Sequence, residues 1–323
     1  MMTETLLSAL AALLAALAFG ALLLPLLRKL KVGQRILEVG PNWHKTKEGT
    51  PTMGGFVFML AVTAAAAVFG WSESAEGRYT HLFILLFAWI CGGIGFVDDL
   101  AKVKKNKNQG LSAPQKLLLQ LSAAAAFLAL LRVYGGMGSE LAIPFTSVVV
   151  ELPWPVYLTL AILFVAGMMN AVNFTDGIDG LCSGVTLPAA VFFALLALTL
   201  ESAGVSVFAG ALAGSLLGFL WFNFHPAKVF MGDTGSLFLG GALCGMAFAL
   251  DRPLLLVPVA LVHLVEILSV VLQVSYFKLT KGKRIFKMSP IHHHFEMCGW
   301  GEKKIFAVFT ATSAVFCAVA WFG

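Results

Sequence analysis

The chain reads as all-α, a polytopic integral membrane protein with about ten transmembrane helices and both termini extracytoplasmic. Three observations predict this. First, 59% of its 323 residues are hydrophobic and 12% are charged, at mean hydropathy +0.87, whereas a soluble domain carries about 25% charged residues. Second, the apolar residues fall in continuous runs rather than alternating, which selects spanning helices. Third, 19 of the 22 Lys and Arg lie in the connections 28–53, 100–116, 223–234 and 278–304, which hold 6, 5, 1 and 7. The positive-inside rule puts these connections in the cytoplasm. Arg78, Arg132 and Arg252 fall on the other side.

The apolar runs are 5–27, 54–71, 81–99, 114–133, 155–174, 184–200, 205–222, 235–250, 254–280 and 305–322. The first does not read as a signal peptide: it is too long, Glu4 precedes it, and its basic residues follow it. Run 254–280 is long and carries Pro258, so a kink or a part outside the bilayer is expected. Gly and Pro in 134–154 predict a small hairpin or amphipathic segment. The five cysteines show no CxxC spacing, so reduced, packed thiols are expected. One transmembrane unit covers residues 1–323, without a soluble domain or low-complexity linker. The absence of an internal repeat weighs against a transporter built from symmetric halves.

This topology gathers the polar motifs on one face. Asp98-Asp99 closes an apolar run after Gly92-Gly93-Ile94-Gly95 and precedes Lys102. Adjacent carboxylates repel, which suits one to general-base work or both to a cation; a solvated helix end is an equally good reading. Asp99 and Lys102 are spaced to pair on a helix. Asn170 through Gly180 follows another run, and Asn173, Asp176 and Asp179 recur every three residues. On a helical turn they share a face, while Gly177 and Gly180 let a ligand approach the backbone. An Asp-Gly pair is also a common turn, but two such pairs beside two Asn exceed what one turn needs. The spacing does not fit an EF-hand.

Asp233 sits in Phe230-Met231-Gly232-Asp233-Thr234-Gly235-Ser236, ahead of an apolar helix. Asp233, Thr234 or Ser236 is expected to cap it. The functional reading is a carboxylate holding Mg2+ beside backbone donors for a pyrophosphate. His292-His293-His294 is internal, so it is no purification tag. Three consecutive imidazoles cannot point one way, which disfavours a three-His zinc site and favours phosphate hydrogen bonding by one or two. His263 and Glu266 lie three apart inside a run and are expected to pair with each other. GxSxG and Walker motifs are absent, as is any GxGxxG in strand context, so hydrolase triads, P-loop ATPases and dinucleotide enzymes gain no support.

Together these motifs carry a resemblance. KTKEGTPTMGG from Lys45 to Gly55, FVDDLAK, NAVNFTDGIDGL, FMGDTGS and PIHHHFE resemble, in order, the polyprenyl-phosphate N-acetylhexosamine-1-phosphate transferases. PIHHHFE favours their muramoyl-pentapeptide branch. The resemblance implies a Mg2+-dependent enzyme on the cytoplasmic face of a bacterial inner membrane, and a homodimer. Its substrates would be UDP-MurNAc-pentapeptide and undecaprenyl phosphate, its products lipid I and UMP, in peptidoglycan synthesis; no nucleic-acid partner is expected. By resemblance Asp233 binds metal and Asp98, with Asp99 beside it, keeps the lipid phosphate deprotonated. Asn173, Asp176 and Asp179 would organise nucleotide and metal, with Asn170 and Gly177 also binding substrate. Lys45, Thr50, Lys102 and Lys116 are candidates for phosphate or uridine contact. Phe230 would stack on uracil, Gln273 would read its edge, and His292, His293 and His294 would hold phosphate or sugar. Direct attack and a covalent aspartyl-phosphate route are both open. Two alternatives stand: a sibling GlcNAc-1-phosphate transferase, and an ion-coupled transporter, which requires acids at mid-membrane depth along a path.

Overall fold

The computed structural model describes residues 1–29, 47, 49–105 and 110–323. Each apolar run becomes helix: α1 Met2–Lys29, α2 Gly55–Phe69, α4 Thr80–Lys105, α5 Ala113–Tyr134, α6 Trp154–Thr175, α7 Leu181–Thr199, α8 Ala203–Asn223, α9 Gly232–Ala249, α11 Leu261–Leu279 and α13 Glu302–Ala320. Short helices α3 Trp71–Ala75, α10 Leu256–Val259 and α12 Ile291–Met297 join them. Among the described residues, eight helices are long and apolar enough to cross a membrane, while α2, at 15 residues, is shorter. The chain is therefore a helical, multi-pass membrane protein. The 254–280 run breaks as Pro258 predicts, into a 3-10 turn at Pro253–Leu255, α10 and α11. The 134–154 connection holds a two-stranded antiparallel hairpin, β1 Glu140–Ala142 with β2 Val149–Glu151, pairing Leu141 with Val150.

Lipid tails are as apolar as Leu, so helix association in a bilayer relies on close packing and interhelical hydrogen bonds. α1 lies along α8, where Gly210, Gly214 and Gly218 face Thr5, Ala9, Leu13 and Ala16. Thr5 Oγ1 donates to Ser206 Oγ at 3.0 Å, and Ser8 Oγ to the Val207 carbonyl at 2.9 Å. Each such bond contributes about 0.6 kcal/mol. α9 is the buried centre, nearly every residue after its first turn being inaccessible. α4 lies along it, with Gly92 and Gly95 of α4 and Gly241 and Gly245 of α9 removing the side chains that would hold the two backbones apart. This contact delivers Asp98 and Asp99 to the first turn of α9. Four cysteines are buried, Cys298 is exposed and all five are free thiols.

Candidate active site

The site is built where α4, α5, α6 and α9 end together. α9 starts at Gly232 with φ +71°, a conformation that costs glycine least. A Cβ there would also lie 2.5 Å from Asp99 Oδ2. Asp99 then caps α9 from a different helix. Its Oδ1 accepts from the Asp233 N–H at 3.2 Å, and its Oδ2 from the Thr234 N–H at 2.9 Å and the Thr234 hydroxyl at 2.8 Å. The expected cap from Asp233, Thr234 or Ser236 is thus corrected: the Ser236 hydroxyl donates to the Gly232 carbonyl instead. Asp99 is largely engaged in holding α4 to α9.

Its neighbour Asp98 points differently. The Leu111 N–H donates to Asp98 Oδ1 at 2.8 Å, and Lys102 Nζ lies 2.7 Å from Oδ2. Lys102 also reaches Asp233 Oδ2 at 3.0 Å and Asp99 Oδ1 at 3.5 Å. From the first turn of α5, Lys116 meets Asp233 Oδ2 at 2.5 Å and donates to Asn173 Oδ1 at 3.2 Å. Asn173 Nδ2 donates to Asp233 Oδ1 at 3.1 Å and to Ser236 Oγ at 2.8 Å. Carboxylate oxygens of Asp98, Asp99 and Asp233 lie within 4.8 Å of one another. An all-oxygen donor set beside two ammonium groups suits a hard divalent cation that shares its shell with phosphate.

The 173–179 series does not keep one face. α6 ends at Thr175, and Asp176 leaves it at φ −81°, ψ 58°. Asp176 is half-buried beside the cluster, and its carboxylate has no hydrogen bond or ion pair among the described residues. Burial first, then the charges of Asp233 and Asp99, push its carboxyl well above the usual carboxylate range. Asp179 turns away into a second network: Lys47 Nζ lies 2.7 Å from Asp179 and 2.6 Å from Glu302, and His225 Nδ1–H donates to Asp179 at 2.9 Å. The Lys47 ammonium is the cation among these groups, so the network reads as an ion-pair anchor for Lys47. Gly177 and Gly180 are likewise taken by the protein. The His292 ring abuts the bare Cα of Gly177, and Gly180 precedes α7 at φ +76°.

Other predicted residues find mixed places. Asn170 Nδ2 donates to buried Gln120 at 2.8 Å. Phe230 is half-buried and fixed through its backbone, accepting from Gly54 at 2.8 Å and donating to Pro51 at 2.9 Å. Thr50 adjoins that segment, its N–H bonded to the Lys47 carbonyl. Lys45 lies outside the described residues. Gln273, expected at a uracil edge, spends its amide on a loop: its oxygen accepts from Ile285 and Phe286 at 3.0 Å each, and its nitrogen donates to the Phe286 carbonyl at 3.1 Å. The imidazoles diverge on α12. His292 donates to Glu266, His293 to Glu296, and His294 Nδ1 accepts from Lys287. The expected pairing of Glu266 with His263 is therefore corrected. His263 bonds Thr175 at 2.8 Å and Thr186 at 3.3 Å.

Residues that sequence reasoning passed over include Gln120, His225 and Glu302. Their signals were slight: one polar residue in an apolar run, one His before a Pro, one Glu opening a helix.

A groove of about 560 Å³ runs between α5, α6 and α11. Leu117, Leu163, Val271 and Val274 line it, and all four are exposed. Asn170 and Ser275 are polar residues of its lining, and Asn170 is one helical turn from Asn173. The groove thus borders the cluster: its lining residues Leu117 and Phe174 follow Lys116 and Asn173 in the chain.

Residues 81–251 match the model of glycosyl transferase family 4, which gives the class: a membrane-embedded member of that family. The chain is 44% identical over 304 residues to the phospho-N-acetylmuramoyl-pentapeptide-transferase of Clostridium acetobutylicum, covering 94% of this chain and 93% of the relative. The enzyme of that name from Bacillus cytotoxicus is 46% identical over 298 residues, 92% and 91% of the two chains. That from Clostridium perfringens strain SM101 is 45% identical over 303 residues, 94% and 91%. The chain belongs to the phospho-N-acetylmuramoyl-pentapeptide-transferase family.

Proposed function

We infer that the protein transfers phospho-MurNAc-pentapeptide from UDP-MurNAc-pentapeptide to undecaprenyl phosphate, giving lipid I and UMP for peptidoglycan synthesis. The observation that carries the reading is the apolar groove ending beside a carboxylate and ammonium cluster. A polyprenyl chain lies in the groove, and its phosphate reaches Asn170, Asn173 and Lys116. The nucleotide sugar enters from the basic cytoplasmic side of the bacterial inner membrane, past Lys102. This separation suits two substrates of opposite solubility and weighs against a transporter path, since nearly all the acids cluster at helix ends, Glu266 being the main exception.

Asp233 is the residue that would hold Mg2+, with Asp98 beside it and Asp99 fixing the turn on which Asp233 stands. When bound, the metal offsets charge on the pyrophosphate oxygens, where phosphoryl transfer needs electrostatic help most. Lys116 and Lys102 hold phosphate oxygens and orient the two phosphates for in-line attack. Asp98 keeps the lipid phosphate free of its proton. A phosphate monoester has its second pKa near 6, so this base is asked for little and its orienting role dominates. Phe230 and Asp176 flank the donor, Phe230 against the nucleobase.

The test is donor choice. Purified protein in detergent, given undecaprenyl phosphate and Mg2+, is expected to make lipid-linked product from UDP-MurNAc-pentapeptide and not from UDP-GlcNAc. Product from UDP-GlcNAc alone would move the protein to the sibling activity.

A further inference from the structure

An ionisable residue inside an apolar membrane helix is costly and calls for a partner. Glu266 is one, in the second turn of α11 and fully buried. His263, three residues before it, is satisfied by Thr175 and Thr186. The partner of Glu266 is instead His292, also fully buried. Glu266 Oε2 accepts from His292 Nδ1–H at 3.0 Å and lies 3.4 Å from the His292 backbone N. One carboxylate oxygen therefore holds both the ring and the start of α12. With Nδ1 committed, Nε2 faces the other way, against Gly177, where a Cβ would collide with it. His292 Nε2 and Glu266 Oε1 have no hydrogen-bond partner among the described residues. Asp176, the one acid of the site without a pairing partner among those residues, is the next residue along that turn. The His292 ring also packs on His293 at a centroid distance of 4.1 Å.

We propose that Glu266 and His292 are positioning residues, a buried carboxylate–imidazole pair that backs the Asp176–Gly177 turn and sets how Asp176 is presented to the donor substrate. Neither group touches substrate, because both are sealed from the site. The pair acts through the turn: Glu266 fixes the ring's tautomer and plane, the ring fixes Gly177, and Gly177 fixes Asp176. Removing one partner of a buried pair leaves the other uncompensated, so the turn is released without any change at the phosphate-binding ammonium groups. The kinetic part of this proposal rests on the transferase reading; its spectroscopic part does not.

The experiment uses full-length protein carrying Glu266→Gln, Glu266→Leu, His292→Gln or the Glu266→Leu/His292→Gln pair. Donor and lipid are varied separately, and ring nitrogens are observed by 15N NMR, with the His292 signal assigned by its loss in His292→Gln. Glu266→Leu is expected to lower kcat/KM for the donor about tenfold or more, as loss of an orienting partner does, with the lipid KM changed less than about twofold. Glu266→Gln, which keeps an acceptor oxygen, recovers part of the loss. The pair of changes costs no more than the worse single change, the mark of a coupled unit. In the unaltered protein the His292 ring carries a proton on Nδ1. Wild-type donor kinetics in folded Glu266→Leu protein, or additive losses, would overturn the proposal. Should Glu266→Leu not fold, Glu266→Gln takes its place, and wild-type donor kinetics in that protein would overturn the proposal equally. If the unaltered protein turns over no donor, the transferase reading fails, and a ring lacking a proton on Nδ1 still refutes the pair.

Discussion

Asp98 and Asp99 are neighbours in the chain with different work, which sets up a direct comparison. Asp99 accepts three bonds from the first turn of α9. Asp99→Ala is expected to lower stability by about 2 kcal/mol, the loss of charge-assisted capping, measured as a lower midpoint of thermal unfolding. Asp98→Asn keeps a hydrogen-bonding group in place of the buried carboxylate and is expected to cost less stability than Asp99→Ala, yet to abolish turnover. Asp176 supplies a pH test. Its carboxyl is held well above its ordinary value of 3.8 by burial and nearby carboxylates. A raised acid destabilises the fold once pH rises past the unfolded value, and the penalty is complete above the folded value. Asp176→Asn in metal-free protein should therefore melt higher than the unaltered protein near neutral pH, with the gain vanishing below about pH 4, while donor turnover falls. Equal melting at neutral pH would contradict this. The motifs singled out Asp98, Asp99 and Asp233, which the fold gathers within 4.8 Å, but a dipeptide of two acids cannot say which one turns toward a helix end. That depends on α9, 134 residues further along.

At the scale of elements, the α4–α9 contact is the device that assembles the cluster. Gly95 has no room for a side chain, because a Cβ would meet the Asp233 carbonyl. Gly95→Ala is expected to leave helix content by circular dichroism unchanged, lower stability by about 1–3 kcal/mol as an overpacked contact does, and reduce kcat by pushing Asp98 from Asp233. The apolar helices and the break near Pro258 were legible because continuous apolar runs and a proline are local information. The end of α6 was not. An i, i+3 pattern carried Asn173, Asp176 and Asp179 onto one face, whereas α6 stops at Thr175 and Asp179 is drawn to Lys47, His225 and Glu302. The same holds for Glu266. Its spacing suggested His263, but a residue 26 positions away pairs with it. Tertiary partners chosen from distant segments leave no periodic trace.

At the scale of the whole molecule, the proposed orientation, with the working face in the cytoplasm, rests on the partition of Lys and Arg among the connections. The native cysteines test this without engineering, since Cys298 is exposed and the other four are buried. A membrane-impermeant maleimide should label Cys298 in inside-out vesicles and not in right-side-out ones; the reverse pattern would invert the topology. The central claim is that helix ends from α4, α5, α6 and α9 form one metal-assisted phosphate-transfer centre. The most direct measurement is UMP release from UDP-MurNAc-pentapeptide and undecaprenyl phosphate, with Mg2+ present or chelated, for the unaltered protein and for Asp233→Asn. The account predicts release that stops on chelation, returns with added Mg2+ and is lost in folded Asp233→Asn protein. Release that persists in EDTA, or in the Asp233→Asn protein, would contradict it.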